Sequence, residues 1–203
     1  MEENRKTTAD TFVITRELMG WAKLGTQLYG YAGNARVRTS ATLSCDGTMS
    51  AYTATVRWSR NGDEGFAKGR YSRAHEWAFD GGAVVPASAS PDNVPPGTAD
   101  EAGVDPEEAF IASISSCHML FFIDYARRDG LVVDSYVDEA IGIMEKDADG
   151  KIAVTNVTLR PRIIFSGDQP SSDQIDRLHH CAHEDCFIAN SVKTEIRVES
   201  QAG

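Results

Sequence analysis

Four cysteines, Cys45, Cys117, Cys181 and Cys186, are the side chains most able to carry covalent chemistry in this sequence, since a thiolate is both a nucleophile and a metal ligand. Cys117 stands in Ser115-Ser116-Cys117-His118, inside the most apolar stretch of the chain. A cysteine there is by default a small buried hydrophobe, and a reactive one needs a cation or a helix N-terminus to favour its thiolate. Arg73 is the candidate cation. It occupies an odd position in the run from Tyr71 to Phe79, with Tyr71, His75, Trp77 and Phe79 on the same face of a predicted strand, so its charge requires a partner. Glu107 is the natural counter-ion, because a bidentate Arg–Glu pair would orient the guanidinium and leave donors directed at a thiolate. Cys186, in Glu184-Asp185-Cys186-Phe187, is a second thiol that could resolve a sulfenic acid before it over-oxidises, provided the two sulfurs come within disulfide reach. Cys45 and Cys181 are read as non-catalytic, and His118 as a core or dimer-contact residue rather than a general base.

Helix geometry limits how these residues can meet. Ten residues of straight α-helix rise ~15 Å, so Glu107 and Cys117 cannot serve one site on one unbroken helix. Either the helix is interrupted near Ser113–Ser116, or the site is built across a homodimer interface, where twofold symmetry would create two such sites.

The elements that must position these groups follow from periodicity. Thr53 to Trp58 alternates with Ala54, Val56 and Trp58 on one face, the pattern of a half-buried strand. Asn61-Gly62 marks a turn, Tyr71 to Phe79 a second strand, and the proline-rich residues 86–104 a long loop. Asp105-Pro106-Glu107-Glu108 is a helix start, with Asp at N-cap, Pro at N1 and Glu at N3. The helix should run to about Arg128, be buried on all sides, and end at Gly130. Val132 to Lys146 and Ile152 to Phe165 are β-rich runs joined by the turn Asp147-Ala148-Asp149-Gly150; Pro161 marks an edge or bulge. Ser171 caps a second helix reaching about Glu184, and Val192 to Val198 is a last strand. The order β-β-α-β-β-α-β is an α+β pattern.

Residues 1–48 carry six Lys/Arg against five Asp/Glu, so the acidic excess lies downstream of them. They read as an N-terminal extension to a domain over 49–203, with Met49 a candidate true start and Glu17 to Tyr31 a weak, glycine-interrupted helix. The formal net charge of −10 argues against nucleic acid or an anionic membrane as partner. No run of eighteen apolar residues and no secretion-signal core is present, which predicts a cytoplasmic protein. In a reducing compartment the cysteines are expected to be free, catalytic or metal-binding.

The run from Asp105 to Leu120 resembles the signature of the OsmC/Ohr family, the osmotically inducible and organic hydroperoxide resistance proteins, in which Asn/Asp-Pro-Glu precedes Ser/Ala-Cys-His by this spacing. Tyr71-Ser72-Arg73-Ala74-His75-Glu76, Tyr136-Val137-Asp138-Glu139-Ala140 and Cys186-Phe187-Ile188-Ala189-Asn190 are similar to further family segments, so the resemblance covers about residues 50–200. It implies an OsmC-like fold, with antiparallel sheet packed on a long buried central helix in an intertwined homodimer. It also implies thiol-dependent reduction of organic hydroperoxides, sometimes of hydrogen peroxide, with no bound cofactor and with an external dithiol reductant that is often a lipoyl-protein. By position Cys117 matches the peroxidatic cysteine, Cys186 the resolving one, Glu107 the acid that orients the arginine, and Arg73 that arginine. Phe187 departs from the proline usual after the second cysteine, and the first 48 residues have no recognised counterpart.

A rival reading comes from His179, His180, Cys181, His183 and Cys186. His179 and His183 share a helix face at i, i+4, a spacing that could hold zinc, although a fourth ligand is not evident. It would make the chain a non-catalytic metal- or ligand-binding stress protein on the same fold.

Overall fold

The structure, a computed structural model, describes residues 50–62 and 65–200; the predicted extension over 1–48, its short helix, Met49 and Cys45 lie outside the described residues. Eight strands and two helices follow in the order β1 (Ala54–Arg57), β2 (His75–Phe79), β3 (Val84–Ala87), α1 (Pro106–Arg128), β4 (Val132–Asp138), β5 (Ile141–Lys146), β6 (Ile152–Leu159), β7 (Pro161–Ser166), α2 (Ser172–Asp185) and β8 (Glu195–Val198). The α+β class is as expected. The strand count is higher, because Val84–Ala87 pairs with β2 as an edge strand that tolerates Pro86, and because each long β run divides in two.

Both runs divide at one locus. The Asp138 carboxylate ends β4, accepting the Ser115 hydroxyl at 2.5 Å and the backbone N–H of Arg160 at 2.6 Å. Arg160 thus spends its donor on a side chain, and Pro161, which follows, has none. β4 then pairs antiparallel with β7, while β5 pairs antiparallel with β6 and β6 parallel with β8. The β5–β6 hairpin closes where the turn signal stands: the Asp147 carboxylate accepts the N–H groups of Asp149 and Lys151, and Gly150 takes φ +77°.

α1 is set by its caps. Asp105 accepts the N–H of Glu108 at 2.7 Å and Glu108 returns a bond to the N–H of Asp105, a complete capping box; Gly130 at φ +80° follows its end. Between these the helix is continuous, so the first of the two alternatives, an interruption near Ser113–Ser116, does not occur. Burial on all sides does not hold within one chain either: only Ile114, His118, Phe122 and Ala126 are buried, an i+4 stripe, while Leu120 is 62% exposed. The helix is apolar enough by length and composition to cross a membrane, yet its buried stripe joins two protein cores. Ile114 packs with Val157 and Leu159 of β6; Phe122 and Ala126 pack with Ile163 of β7 and Leu178 and Ala182 of α2. Cys117 and His118 lie at the junction.

The β1–β2–β3 sheet carries Tyr71 to Phe79 differently from expectation. The strand begins only at His75, so Arg73 belongs to the preceding loop. β1, predicted half-buried, exposes all four of its residues, Val56 at 63%, and Trp58, just beyond its end, is 43% exposed.

Candidate functional site

One flank of α1 meets the end of α2. Cys117, Phe121 and Tyr125 recur at i, i+4 and i+8 and therefore line one side of the helix. They engage three consecutive residues where α2 stops. The Cys117 and Cys186 thiols are near enough for Cys117 to raise the Cys186 thiol, the Phe121 ring meets Phe187 edge-on at 5.1 Å, and the Tyr125 hydroxyl donates to Asp185. The two sulfurs, remote in sequence, thus face each other. Cys117 is partly exposed and Cys186 is buried; both are free thiols.

α2 ends where Cys186 leaves helical conformation at φ −64°, ψ 109°. A proline after it would enforce such an extended backbone; here Phe187 stands in that place and the conformation is reached without it. The chain then turns through Ala189–Ser191, and the Ala189 N–H points at the Cys186 sulfur at 3.4 Å. Burial first, and then the neighbouring Cys117 thiol, push the Cys186 thiol up to about 11, against the weaker opposite pull of the backbone N–H groups. Cys186 is therefore a protonated thiol at neutral pH. Cys117 is the one of the pair that a reagent from solvent can reach.

Arg73 and Glu107 are not brought to this pair within one chain. The Arg73 guanidinium lies 3.6 Å over the Tyr71 ring and donates to the carbonyls of Gly69, at 2.9 Å, and of Tyr71. Glu107 is half-buried in the first turn of α1, beside a depression of ≈320 Å³ that Phe110, Val154 and Thr194 also line. With α1 unbroken, it stands ~15 Å along the helix from Cys117. A larger groove of ≈480 Å³ runs along another side of α1, between Ile111, Ser115, Met119, Tyr136 and Asp138; neither cysteine lines it.

The zinc reading loses its geometry. His179 turns inward, its Nδ1 3.0 Å from Nε2 of His118 with the rings stacked at 5.3 Å, and Phe122 covers it at 4.4 Å. Among the described residues no group of three or more His, Cys, Asp or Glu side chains is arranged to hold a metal ion. Burial, reinforced by the charges of His179 and His183, lowers His118 to about 3, and burial lowers His179 to about 4 despite Asp176 nearby. His118 is thus a core residue, as expected from the sequence. Its partnership with His179 was missed, as were the Phe121 and Tyr125 contacts; the i+4 recurrence of Cys117, Phe121 and Tyr125 was the only available signal.

The sequence pattern of OsmC-like proteins matches residues 97–201, and no curated protein matches the chain. Among solved structures, an OsmC-like protein of unknown function from Vibrio cholerae is 51% identical, with a TM-score of 0.74 over 75% of this chain and 100% of that one. Two more distant structures share the fold. The organic hydroperoxide resistance protein of Elizabethkingia anophelis is 17% identical, with a TM-score of 0.55 over 77% of this chain and 98% of its own. That of Bacillus subtilis is 20% identical, with a TM-score of 0.51 over 75% and 98%. The family match over more than half the sequence and the likeness to the Vibrio cholerae protein agree with the fold built above: this chain belongs to the OsmC-like protein family.

Proposed function

We propose that this chain is a thiol-dependent peroxidase that reduces organic hydroperoxides, with Cys117 as the attacking sulfur and Cys186 as its resolving partner. The observation that carries the reading is the juxtaposition of a partly exposed thiol and a buried, protonated one; the hydroperoxide resistance proteins on the same fold support it. The Cys117 thiolate attacks the distal peroxide oxygen, an S–O bond forms and the O–O bond breaks, and the departing alkoxide takes a proton and leaves as the alcohol. Cys186 then attacks the sulfur of the Cys117 sulfenic acid. The S–S bond forms, the S–O bond breaks, and the Cys186 proton leaves with the hydroxide as water. An external dithiol, a lipoyl group on a protein being a suitable one, returns two electrons by exchange.

Arg73 stabilises the thiolate and polarises the O–O bond in this reading, with Glu107 orienting the guanidinium. Since one continuous helix keeps Glu107 away from its own Cys117, these groups act across the twofold axis of a homodimer. The uncovered apolar flank of α1, the exposed Val56 of β1 and Trp58 just after it supply surface for that partner.

The test is consumption of cumene hydroperoxide with dihydrolipoamide. Wild type turns over, Cys117→Ser does not, and Cys186→Ser completes one turnover and accumulates a trappable sulfenic acid. Wild-type protein that consumes no peroxide, or a fully active Cys117→Ser, refutes the reading; retention of zinc without turnover would identify a binding protein on this fold instead.

A further inference from the structure

The backbone of Arg73 is held on both sides, while among the described residues its side chain is held by its own loop. The Arg73 N–H donates to the Thr98 carbonyl at 2.8 Å, and the Arg73 carbonyl meets Nδ1 of His75 at 2.8 Å. The other ring nitrogen of His75, Nε2, receives the Trp77 indole N–H at 3.0 Å. An indole N–H can only donate. Nε2 must therefore be the bare nitrogen, Nδ1 carries the proton, and that proton is directed at the Arg73 carbonyl. Both histidine nitrogens are committed, and the relay ends on the middle strand of a sheet, where Trp77 sits opposite Val56 of β1 and Val85 of β3. The guanidinium, by contrast, rests on the Gly69 and Tyr71 carbonyls and the Tyr71 ring, contacts that water or a thiolate can replace.

We propose that Trp77 and His75 are positioning residues for Arg73, a strand-anchored relay that fixes the backbone from which the guanidinium serves the thiol site. The assignment rests on the peroxidase reading of Arg73. It adds two residues that act through the arginine's backbone. Because the His75 contact comes through Nδ1, an asparagine, whose amide nitrogen occupies the corresponding position, can replace the donor. A leucine of similar bulk cannot.

The experiment measures the single-turnover rate constant for oxidation of Cys117 by cumene hydroperoxide in the full-length protein, for wild type, Arg73→Ala, His75→Leu, His75→Asn, Trp77→Phe and the double variant Arg73→Ala/His75→Leu. His75→Leu is expected to be about 10- to 100-fold slower, the cost of misplacing a reacting group by about an ångström. His75→Asn recovers most of the loss, Trp77→Phe shifts in the same direction as His75→Leu, and His75→Leu costs nothing further once Arg73 is gone. A slow Arg73→Ala beside a normal His75→Leu overturns the positioning role alone, as does a His75→Leu penalty that persists in full without Arg73. An unchanged rate in Arg73→Ala overturns the arginine's role and this assignment with it.

Discussion

Lowering the pH from 7 to 5 should weaken this fold through one buried pair, His118 and His179. Their ring nitrogens lie 3.0 Å apart, His118 is 1% and His179 5% exposed, and Nε2 of His179 has no hydrogen-bond partner. In the fold the two are lowered from the ordinary 6.5 to about 3 and about 4. The sign follows from proton uptake. Above pH 6.5 both states hold neutral imidazoles and stability is complete. As the pH falls below 6.5 the unfolded chain binds two protons that the native core refuses, so stability is lost, and the loss levels off only once the native pair is itself protonated near pH 3–4. If both rings stay neutral in the fold, each contributes about 2 kcal/mol between pH 7 and pH 5, or about 4 kcal/mol together. That is a large part of the 5–15 kcal/mol typical of a domain.

The assay is urea unfolding at fixed protein concentration at pH 7, 6 and 5, comparing wild type with His118→Leu/His179→Leu. The paired replacement removes both titrations and the orphaned nitrogen together, so no polar group is left stranded. The remaining histidines and carboxylates are common to both proteins and cancel in the difference. Wild type should lose about 4 kcal/mol more than the double variant over this range. Parallel curves, or imidazole NMR shifts showing either ring titrating near 6.5 in the native protein, would refute the argument.

Two further substitutions probe the supports of the site. Gly103→Ala places a Cβ 2.8 Å from the Ala87 carbonyl carbon and 2.9 Å from the Ser88 nitrogen; because the obstacle is backbone, the change should cost about 1–3 kcal/mol in chemical denaturation, and a neutral result would mean the loop before α1 does not pack against β3. Asp138→Ala strips the acceptor shared by Ser115 and the Arg160 N–H and should cost about 1–3 kcal/mol, with accelerated amide exchange at Arg160; unchanged exchange there would show that the carboxylate does not hold the β6–β7 corner.

Local signals in the sequence determined the parts of this molecule governed by neighbours in the chain. The Asp105 and Glu108 capping box, the Ser171 cap, Gly130 beyond α1 and the Asp147 to Gly150 turn all stand where their residue types predicted, because a cap or a turn is satisfied within four or five residues. The spacing of Asp105-Pro106-Glu107 from Cys117 likewise pointed to the family that the comparisons bear out. Tertiary structure decided what depends on distant partners. Periodicity could not divide Val132 to Lys146 and Ile152 to Phe165 into four strands, since the break is made by one carboxylate that reaches both Ser115 and Arg160. It could not place Arg73 off the strand, nor turn His179 toward His118 rather than outward. The pairing of Cys117 with Cys186 depends on a flank of α1 meeting the end of α2, a contact fixed by the packing of Phe122, Ala126, Leu178 and Ala182. A sequence pattern records which faces are apolar, and only the packed chain selects which face meets which.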